Sequence, residues 1–536
     1  MGPRGAATEG SRVLIGERLR ETARRHGDRD AAVAGAERIS WGALDAMADR
    51  AAAVFAAAGV GPGDRVAIQL ANVPTYLAAW YGILRLGAVA VPLNPRYRPH
   101  ELEFLLADSA VAATVAHVSL APVLEGLRPR VPGLRRVFLS SAGGPAPAES
   151  GPAFEDLLAS ATVGEAPWRT SPPVGAEAPA TCMYTAGTTG RPKGALLSHR
   201  GLLWNIDRLL EVFTAGPDDR FLCALPLFHS YAQMACLIST LTLGASLVLL
   251  PHFRPELVLE TIRRERITIF PGVPAFYGAM LAAVRAGAPA DFTSLRLAVT
   301  GGAAMPLPVI TALEKAGVMV LEGNGPTEAG PVAYVNPERG PRKPGSVGPP
   351  IPGAAVRVVD DAGTDVPAGD VGEVLIRAPS VMLGYLNRPE ATAAVLKDGW
   401  LHTGDLGRLD DAGYVFLVDR KTDLIIVGGL NVYPREVEEA LLTHPGVAEA
   451  AVVGVPEEAR GERVVAFVVC RPDAGVAPRA LLRHCRRLLA PYKCPRTVLL
   501  VPELAKNAAG KVEKLALKVA AQERMVRGRV PDGPEA

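Results

Sequence analysis

The sequence predicts an α/β fold, with a large N-terminal domain of several subdomains followed by a small C-terminal α/β domain. Three observations predict it. The 536 residues are too many for one compact core, because longer chains divide into separate domains. Strand and helix signals alternate through the first two-thirds of the chain, the pattern of helices layered on sheets. A second series of the same kind begins after Arg420.

The elements follow in order. Ser40 carries a hydroxyl suited to a helix N-cap, and Leu44, Met47, Ala51, Val54 and Phe55 recur behind it at helical spacing. Gly61-Pro62-Gly63-Asp64 reads as a turn, and residues 66–70 as a strand. Pro74 suits the first turn of the next helix, where a missing N–H costs nothing, and residues 89–92 read as a short buried strand. Further strands are expected at 247–250, 267–270 and 297–300. The Pro/Gly/Ala-rich stretches 141–153 and 164–179 read as surface loops. Beyond Ile376 the strands shorten and the turns tighten, as at Asp410-Asp411-Ala412-Gly413. After Arg420, helices are expected over 434–442 and 478–489, with strands over 450–453 and 464–469.

Composition narrows the function classes. A net charge of +2 creates no one-signed field that would draw nucleic acid or a membrane surface. The six cysteines include no CxxC pair, which disfavours zinc and thioredoxin-like redox chemistry and suits buried thiols in a reducing compartment. Residues 1–12 hold no apolar run of the signal-peptide kind, and the most apolar stretch, 237–250, is too short and too interrupted to span a bilayer. A soluble, cytoplasmic protein with no transmembrane segment is expected, its oligomeric state open.

The chemistry concentrates first at Tyr184-Thr185-Ala186-Gly187-Thr188-Thr189-Gly190-Arg191-Pro192-Lys193-Gly194, between two strand signals. Three glycines let backbone N–H groups approach an anion, three threonines supply hydroxyl donors, and Lys193 adds a point charge for β- and γ-phosphates. No Ser/Thr follows the lysine, so this is not a Walker loop. The loop resembles the phosphate-binding signature of the AMP-forming adenylating superfamily: acyl-CoA synthetases, luciferases and peptide-synthetase adenylation domains. Ala186 stands where that family often has a hydroxyl.

The resemblance spans about residues 12–520 and implies an N-terminal nucleotide- and acyl-binding domain over 12–419, a hinge at 420–423, a small mobile domain over 424–520 and a frayed tail over 521–536. The implied ligands are ATP or AMP, Mg2+, coenzyme A and a carboxylic acid. Thr185, Gly187, Thr188, Thr189, Gly190 and Lys193 would cradle phosphates. The run Glu322-Gly323-Asn324-Gly325-Pro326-Thr327-Glu328 resembles the second core motif, with Thr327 on the α-phosphate and Glu328, with Thr185, holding Mg2+. A carboxylate beside a phosphate site is tolerable only with a bridging cation. Asn324 replaces the family's usual aromatic, which stacks on adenine. Gly301-Gly302-Ala303-Ala304 resembles the adenine-side wall, and a small-residue turn accounts equally well for it. Trp400-Leu401-His402-Thr403-Gly404-Asp405 resembles the motif whose aspartate takes both ribose hydroxyls, and Arg420 its ribose-binding arginine. The flanking Gly384-Tyr385 and Pro389-Glu390 also match. Thr422 stands at the hinge position, where Asp or Lys is usual.

The last motif, Lys506-Asn507-Ala508-Ala509-Gly510-Lys511-Val512, implies that Lys511 enters the site and eases the meeting of two anions as the carboxylate attacks the α-phosphate. After rotation of the small domain, Gly428 and Gly429 would let the pantetheine arm pass close to backbone. The six Lys/Arg between Asp473 and Glu503 suit a solvated helix face or the phosphates of coenzyme A. Leu225-Pro226-Leu227-Phe228-His229-Ser230-Tyr231 resembles the motif beside the acyl pocket, with His229 near the carboxylate. Ser230 cannot hold an ammonium as an aspartate would, which disfavours amino acids. Together with residues 270–277, this run looks most like fatty-acid–CoA ligases. Aryl and dicarboxylic acids stay open, as do a carrier-protein acceptor and a non-catalytic nucleotide-binding relative.

Overall fold

A computed structural model describes residues 13–141, 152–170, 172–185, 191–302, 305–427, 430–457, 461–472, 474–506 and 512–526. The chain divides into two compact units: Met1–Val356 with Ile376–His402, and Arg357–Leu375 with Thr403–Ala536. This division follows packing, whereas the 12–419, 420–423 and 424–520 division follows motif order. The strands Gly372–Arg377, Trp400–Leu409 and Val415–Arg420 are hydrogen-bonded into one sheet, and that pairing groups the residues just before Arg420 with the second unit.

The first unit contains two large sheets. In the eight-stranded one, Asp30–Ala34, Ser246–Leu249, Arg220–Cys223, Ile269–Gly272, Leu297–Thr300 and Met319–Asn324 run parallel, with antiparallel Glu37–Ser40 and Tyr334–Val335 at the edges. In the seven-stranded one, Arg136–Ser140, Ala113–His117, Arg65–Gln69, Val89–Pro92 and Pro179–Thr185 run parallel, and the antiparallel Lys193–Ser198 and Gly384–Tyr385 complete it. Interior strands such as Val89–Pro92, Ser246–Leu249, Ile269–Gly272 and Leu297–Thr300 are short and buried on both faces, as parallel strands under helices must be, while the edge strands Glu37–Ser40 and Arg136–Ser140 are partly exposed. Val33, Leu222, Ile262, Phe270, Met280 and Val320 belong to one core cluster. Val91, Leu105, Leu106, Leu124 and Cys182 belong to another.

Residues 89–92 and 297–300 are strands at the expected bounds. The 267–270 strand sits two residues later, at Ile269–Gly272, because Pro271 and Gly272 stay in parallel register with Val299 and Thr300. The helix capped by Ser40 runs Trp41–Ala57, with the Ser40 hydroxyl accepting from Ala43 N at 3.2 Å. Its buried face is Leu44, Ala48, Ala51, Ala52 and Phe55 together with Asp49, while Met47 and Val54 are half-buried. Asp49 pulls the face round: it pairs with Arg85 at 2.8 Å, and with Arg20 and Arg169 at 3.5 and 3.6 Å. Pro74 does open the next helix, Pro74–Arg85, and every residue after it in that helix is buried. Within the expected 164–179 loop, residues Pro167–Thr170 form one short helical turn.

The second unit carries its own sheet: Leu430–Val432, Ile425–Val427, Gly461–Cys470 and Val447–Glu457 in order, with Thr497–Leu500 parallel to Gly461–Cys470. Helices Pro434–Leu442 and Pro478–Leu488 cover it through Val437, Leu441, Leu481 and Cys485. Arg479, Arg483, Arg486 and Arg487 lie exposed on the opposite face of the latter helix. Lys493 and Arg496 are instead paired, with Glu436 at 2.7 Å and Glu457 at 3.6 Å. No helix of the described residues is long and apolar enough to cross a membrane.

Candidate active site

Ligands of parallel α/β sheets bind beyond the carboxyl ends of the strands, and the chemistry-bearing motifs of the first unit fall there. Pro179–Thr185 and Lys193–Ser198 form a hairpin in which Thr185 pairs with Lys193 and Tyr184 with Gly194. The strand pairing thus delivers a hydroxyl and an ammonium to the two ends of the connecting loop. Tyr184 anchors the hairpin: its hydroxyl donates to Asp108 Oδ2 at 2.8 Å, and Arg388 donates to Asp108 Oδ1 at 2.5 Å. Burial raises the Tyr184 phenol well above its ordinary value, with Cys182 and Asp108 adding to the effect. It therefore stays a neutral donor.

Glu322, Gly323 and Asn324 end the strand Met319–Asn324, and Thr327–Ala329 form a short 3-10 turn just after it. Gly325 is obligatory between them, since a Cβ there would lie 2.4 Å from Pro331 O and 2.6 Å from Ala333 N. The turn brings Glu328 to the hairpin. Thr185 Oγ1 donates to Glu328 Oε1 at 3.0 Å, and Tyr385 donates its hydroxyl to the same oxygen at 2.9 Å. The Lys193 ammonium lies 5.3 Å from the centre of the Tyr385 ring. Glu322 is buried and accepts from Gly345 N at 3.2 Å, which makes it a strut of the wall rather than an open carboxylate. Asn324 Oδ1 is turned onto its neighbour's backbone, accepting from Gly325 N at 2.7 Å. Gly302 follows the adjacent strand, whose Thr300 is in register with Glu322.

The acyl-side motif is held by a buried polar clamp. Asn72 donates to Leu225 O at 2.8 Å and accepts from Leu227 N at 2.9 Å, while Tyr76 and Gln233 donate to Leu227 O at 2.7 and 3.0 Å. Fixed this way, the segment presents His229 at the surface, its Nδ1 accepting from Tyr231 N at 3.2 Å. The Ser230 and Thr327 hydroxyls are hydrogen-bonded at 2.8 Å, joining the acyl motif to the phosphate motif. Tyr231 donates to Val299 O at 2.9 Å, and its ring is 3.4 Å from where a Cβ on Gly301 would stand.

In the second unit, Asp405 and Arg420 face each other in the register of Trp400–Leu409 and Val415–Arg420, with Arg420 Nε 3.0 Å from Asp405 Oδ1. Ala186, Gly187, Thr188, Thr189, Gly190, Ala303, Gly428, Gly429 and Lys511 lie outside the described residues. The structure thus brings together Thr185, Lys193, Thr327 and Glu328, sets His229 in the motif joined to Thr327, and places Glu322, Gly323, Asn324, Gly325 and Gly302 along the neighbouring strand ends. Tyr385 is the addition that sequence reasoning missed. Its motif was visible, but nothing local foretold a hydroxyl on Glu328 57 residues away.

The donor set fits Mg2+. Glu328 and Thr185 offer hard oxygens, and among the described residues no cluster of three or more His, Cys, Asp or Glu side chains forms a metal cage. Mg2+ is characteristically held by one or two carboxylates together with substrate phosphates and water.

A hairpin with a hydroxyl and an ammonium at its loop ends, a hydroxyl–carboxylate pair whose oxygens fit a hard cation, and a strand-end wall are the features expected of a nucleotide-using α/β enzyme. The chain belongs to the AMP-binding enzyme family: residues 19–386 match that family and residues 436–511 match the AMP-binding enzyme C-terminal domain. It is 37% identical over 529 residues to the long-chain-fatty-acid–CoA ligase of Yersinia pestis, covering 94% of this chain and 93% of that one. It is 38% identical over 477 residues to the indoleacetate–CoA ligase of Aromatoleum aromaticum, covering 89% and 92%. Among solved structures, the ATP-bound MatB of Rhodopseudomonas palustris matches with a TM-score of 0.86 at 34% identity, covering 95% of this chain and 99% of that one. The chain is an AMP-forming acid–thiol ligase that uses ATP, Mg2+ and coenzyme A and passes through an acyl-adenylate.

Proposed function

We propose that the acid is a medium- or long-chain fatty acid, and that the residues assembled above carry its activation. The observation that carries the assignment of roles is the convergence of Thr185, Tyr385 and Glu328, with Lys193 over the same tyrosine ring. Lys193 meets the β- and γ-phosphates, Thr327 the α-phosphate, and Glu328 with Thr185 the metal, which neutralises phosphate charge when bound. Asp405 accepts from the ribose hydroxyls and Arg420 orients it. His229 stands beside the acid carboxylate. A carboxylate oxygen attacks the α-phosphorus, the bond to the β-phosphate breaks, and pyrophosphate leaves. Lys511 supplies the positive charge that this meeting of anions needs. The coenzyme A sulfur then attacks the acyl carbon past Gly428 and Gly429, AMP leaves, and the thiol proton passes to water. By motif order, residues 12–419 make the activating domain, 420–423 the hinge and 424–520 the small domain; packing joins 357–375 and 403–419 to the second unit, and the helix Lys514–Val526 carries ordered chain into the expected frayed tail. ATP and coenzyme A are cytoplasmic metabolites, which supports a cytoplasmic enzyme.

The fatty-acid reading is supported by the apolar character of residues 225–228 and 270–276 and by the similarity to the Yersinia pestis ligase. A second reading, an aryl acid, is favoured by one observation: the acyl-side motif carries an aromatic ring, Tyr231, whose edge lies 3.4 Å from where a Cβ on Gly301 would stand. The test is a panel of fatty, aryl and dicarboxylic acids with Mg2+ and ATP, scored for pyrophosphate release and thioester. Highest kcat/KM with fatty acids is expected. Preference for aryl acids would transfer the assignment to the second reading, and release without thioester would point to a carrier protein as acceptor.

A further inference from the structure

We propose that Tyr385 is a positioning residue of the phosphate and metal site, one that holds Lys193 and Glu328 in separate, aimed positions before nucleotide arrives. The proposal rests on the roles assigned above to Lys193 and Glu328. A lysine and a glutamate brought to one small site attract each other, and a direct ion pair between them would quench the charges that the triphosphate and its metal require. Tyr385 touches both groups with different parts of itself. The ammonium lies over the ring face, 5.3 Å from its centre, where the negative quadrupole attracts a cation. The hydroxyl donates to Glu328 Oε1 at 2.9 Å, a charge-assisted bond. Thr185 donates to the same oxygen at 3.0 Å, so the two hydroxyls together set the carboxylate's rotation.

The tyrosine is itself tightly placed. Gly384–Tyr385 is a two-residue edge strand paired with Lys193–Ser198, with Tyr385 opposite Ala195. The Tyr385 N–H donates to Thr392 Oγ1 at 2.9 Å, and Leu386 N donates to Gly194 O at 2.8 Å. Gly384 has φ +143°, and a Cβ there would press on Thr392 Cγ2 at 2.9 Å. Glycine is therefore needed to let the strand close against the helix that begins at Pro389. Backbone pairing to the very strand that carries Lys193 ties the ring to the ammonium it seats. The same backbone makes Tyr385 part of the hairpin's rim, so loss of the side chain leaves the backbone hydrogen bonds of Tyr385 and Leu386 in place.

Two variants separate the hydroxyl from the ring. Tyr385→Phe keeps the seat for Lys193 and loses the bond to Glu328. Tyr385→Leu loses both. Binding of ATP is measured by calorimetry with excess MgCl2 and with EDTA, beside thermal unfolding and thioester formation from preformed acyl-AMP. For Tyr385→Phe, the factor by which Mg2+ improves ATP affinity is expected to fall about three- to tenfold, with metal-free affinity unchanged. For Tyr385→Leu, metal-free affinity is expected to fall as well, about threefold. Unfolding temperature and the acyl-AMP step should stay near wild type, since neither uses the metal nor the β- and γ-phosphates. Wild-type magnesium dependence in Tyr385→Phe would overturn the proposal, and so would equal loss of ATP binding and of the acyl-AMP step. If the wild-type protein itself binds no ATP, the assignment of roles fails and this proposal with it. Wild-type ATP binding with unaltered variants sinks the proposal alone.

Discussion

A carboxylate beside the triphosphate site we propose is electrostatically out of place unless a cation comes with the substrate, and Glu328 accepts there from two hydroxyl donors, Thr185 and Tyr385. Single residues of this site do chemically distinct things at short range: Ser230 links the acyl and phosphate motifs through Thr327, while Glu322 merely braces the wall. Asn324 is the position where the chain forgoes an aromatic, spending its side-chain oxygen on Gly325 N instead. Restoring a ring should therefore tighten nucleotide binding. With Asn324→Tyr, AMP affinity measured by calorimetry is expected to rise about three- to tenfold, the worth of one aromatic stack. Unchanged or weaker binding would mean that adenine does not meet this side chain. What was legible at this scale was local. Thr185, Lys193, Thr327 and Glu328 stand out because each motif carries its own chemistry within a few residues. The Ser230–Thr327 bond, across 97 residues, and the Tyr385–Glu328 bond are products of the fold and have no local sign.

At the scale of elements, burial and capping settle most outcomes. Val89–Pro92, Leu297–Thr300 and Pro434–Leu442 were readable because apolar runs and proline at the first helical position are strong signals. The inward face of Trp41–Ala57 was readable only in part: Leu44, Ala51 and Phe55 are buried as expected, while Met47 and Val54 are half-buried, and Asp49, an aspartate in a hydrophobic register, is drawn inside by the arginines of other elements. Helix His199–Leu209 carries a comparable hidden feature. Its first residue is fully buried, with the Ser198 hydroxyl accepting from Gly201 N and His199 Nδ1 accepting from Ile15 N at 3.4 Å. Burial pushes the His199 imidazole from 6.5 down to about 4, and the positive end of a helix dipole is no place for a charged ring. The unfolded chain therefore binds a proton between these values while the folded chain does not, and stability is lost as pH falls from about 6.5 to about 4. The loss expected from this residue is on the order of 3 kcal/mol. Urea midpoints measured from pH 7.5 to 4 should show the decline, and His199→Gln should flatten that part of it. An unchanged slope in the variant would locate the acid sensitivity elsewhere.

At the scale of the whole molecule, two compact units carry two sets of residues with proposed roles: Thr185, Lys193, His229, Thr327 and Glu328 in one, the Asp405–Arg420 pair and the Lys511 motif in the other. A ligase that first makes a mixed anhydride and then a thioester needs different groups for the two steps. Lys511→Ala is expected to lower acid-dependent pyrophosphate exchange by at least about a hundredfold, the scale of one lost electrostatic stabiliser, while the rate of thioester formation from preformed acyl-AMP stays within about threefold of wild type. Equal loss of both steps would remove Lys511 from the first. The central claim is that the acid's own oxygen attacks the α-phosphate of ATP. Supplying a carboxylic acid labelled with oxygen-18 in both carboxylate positions, together with ATP, Mg2+ and coenzyme A, and weighing the AMP by mass spectrometry tests it directly. The acyl-adenylate route predicts one labelled oxygen in each AMP formed and none in pyrophosphate. Unlabelled AMP, or label in inorganic phosphate, would contradict it.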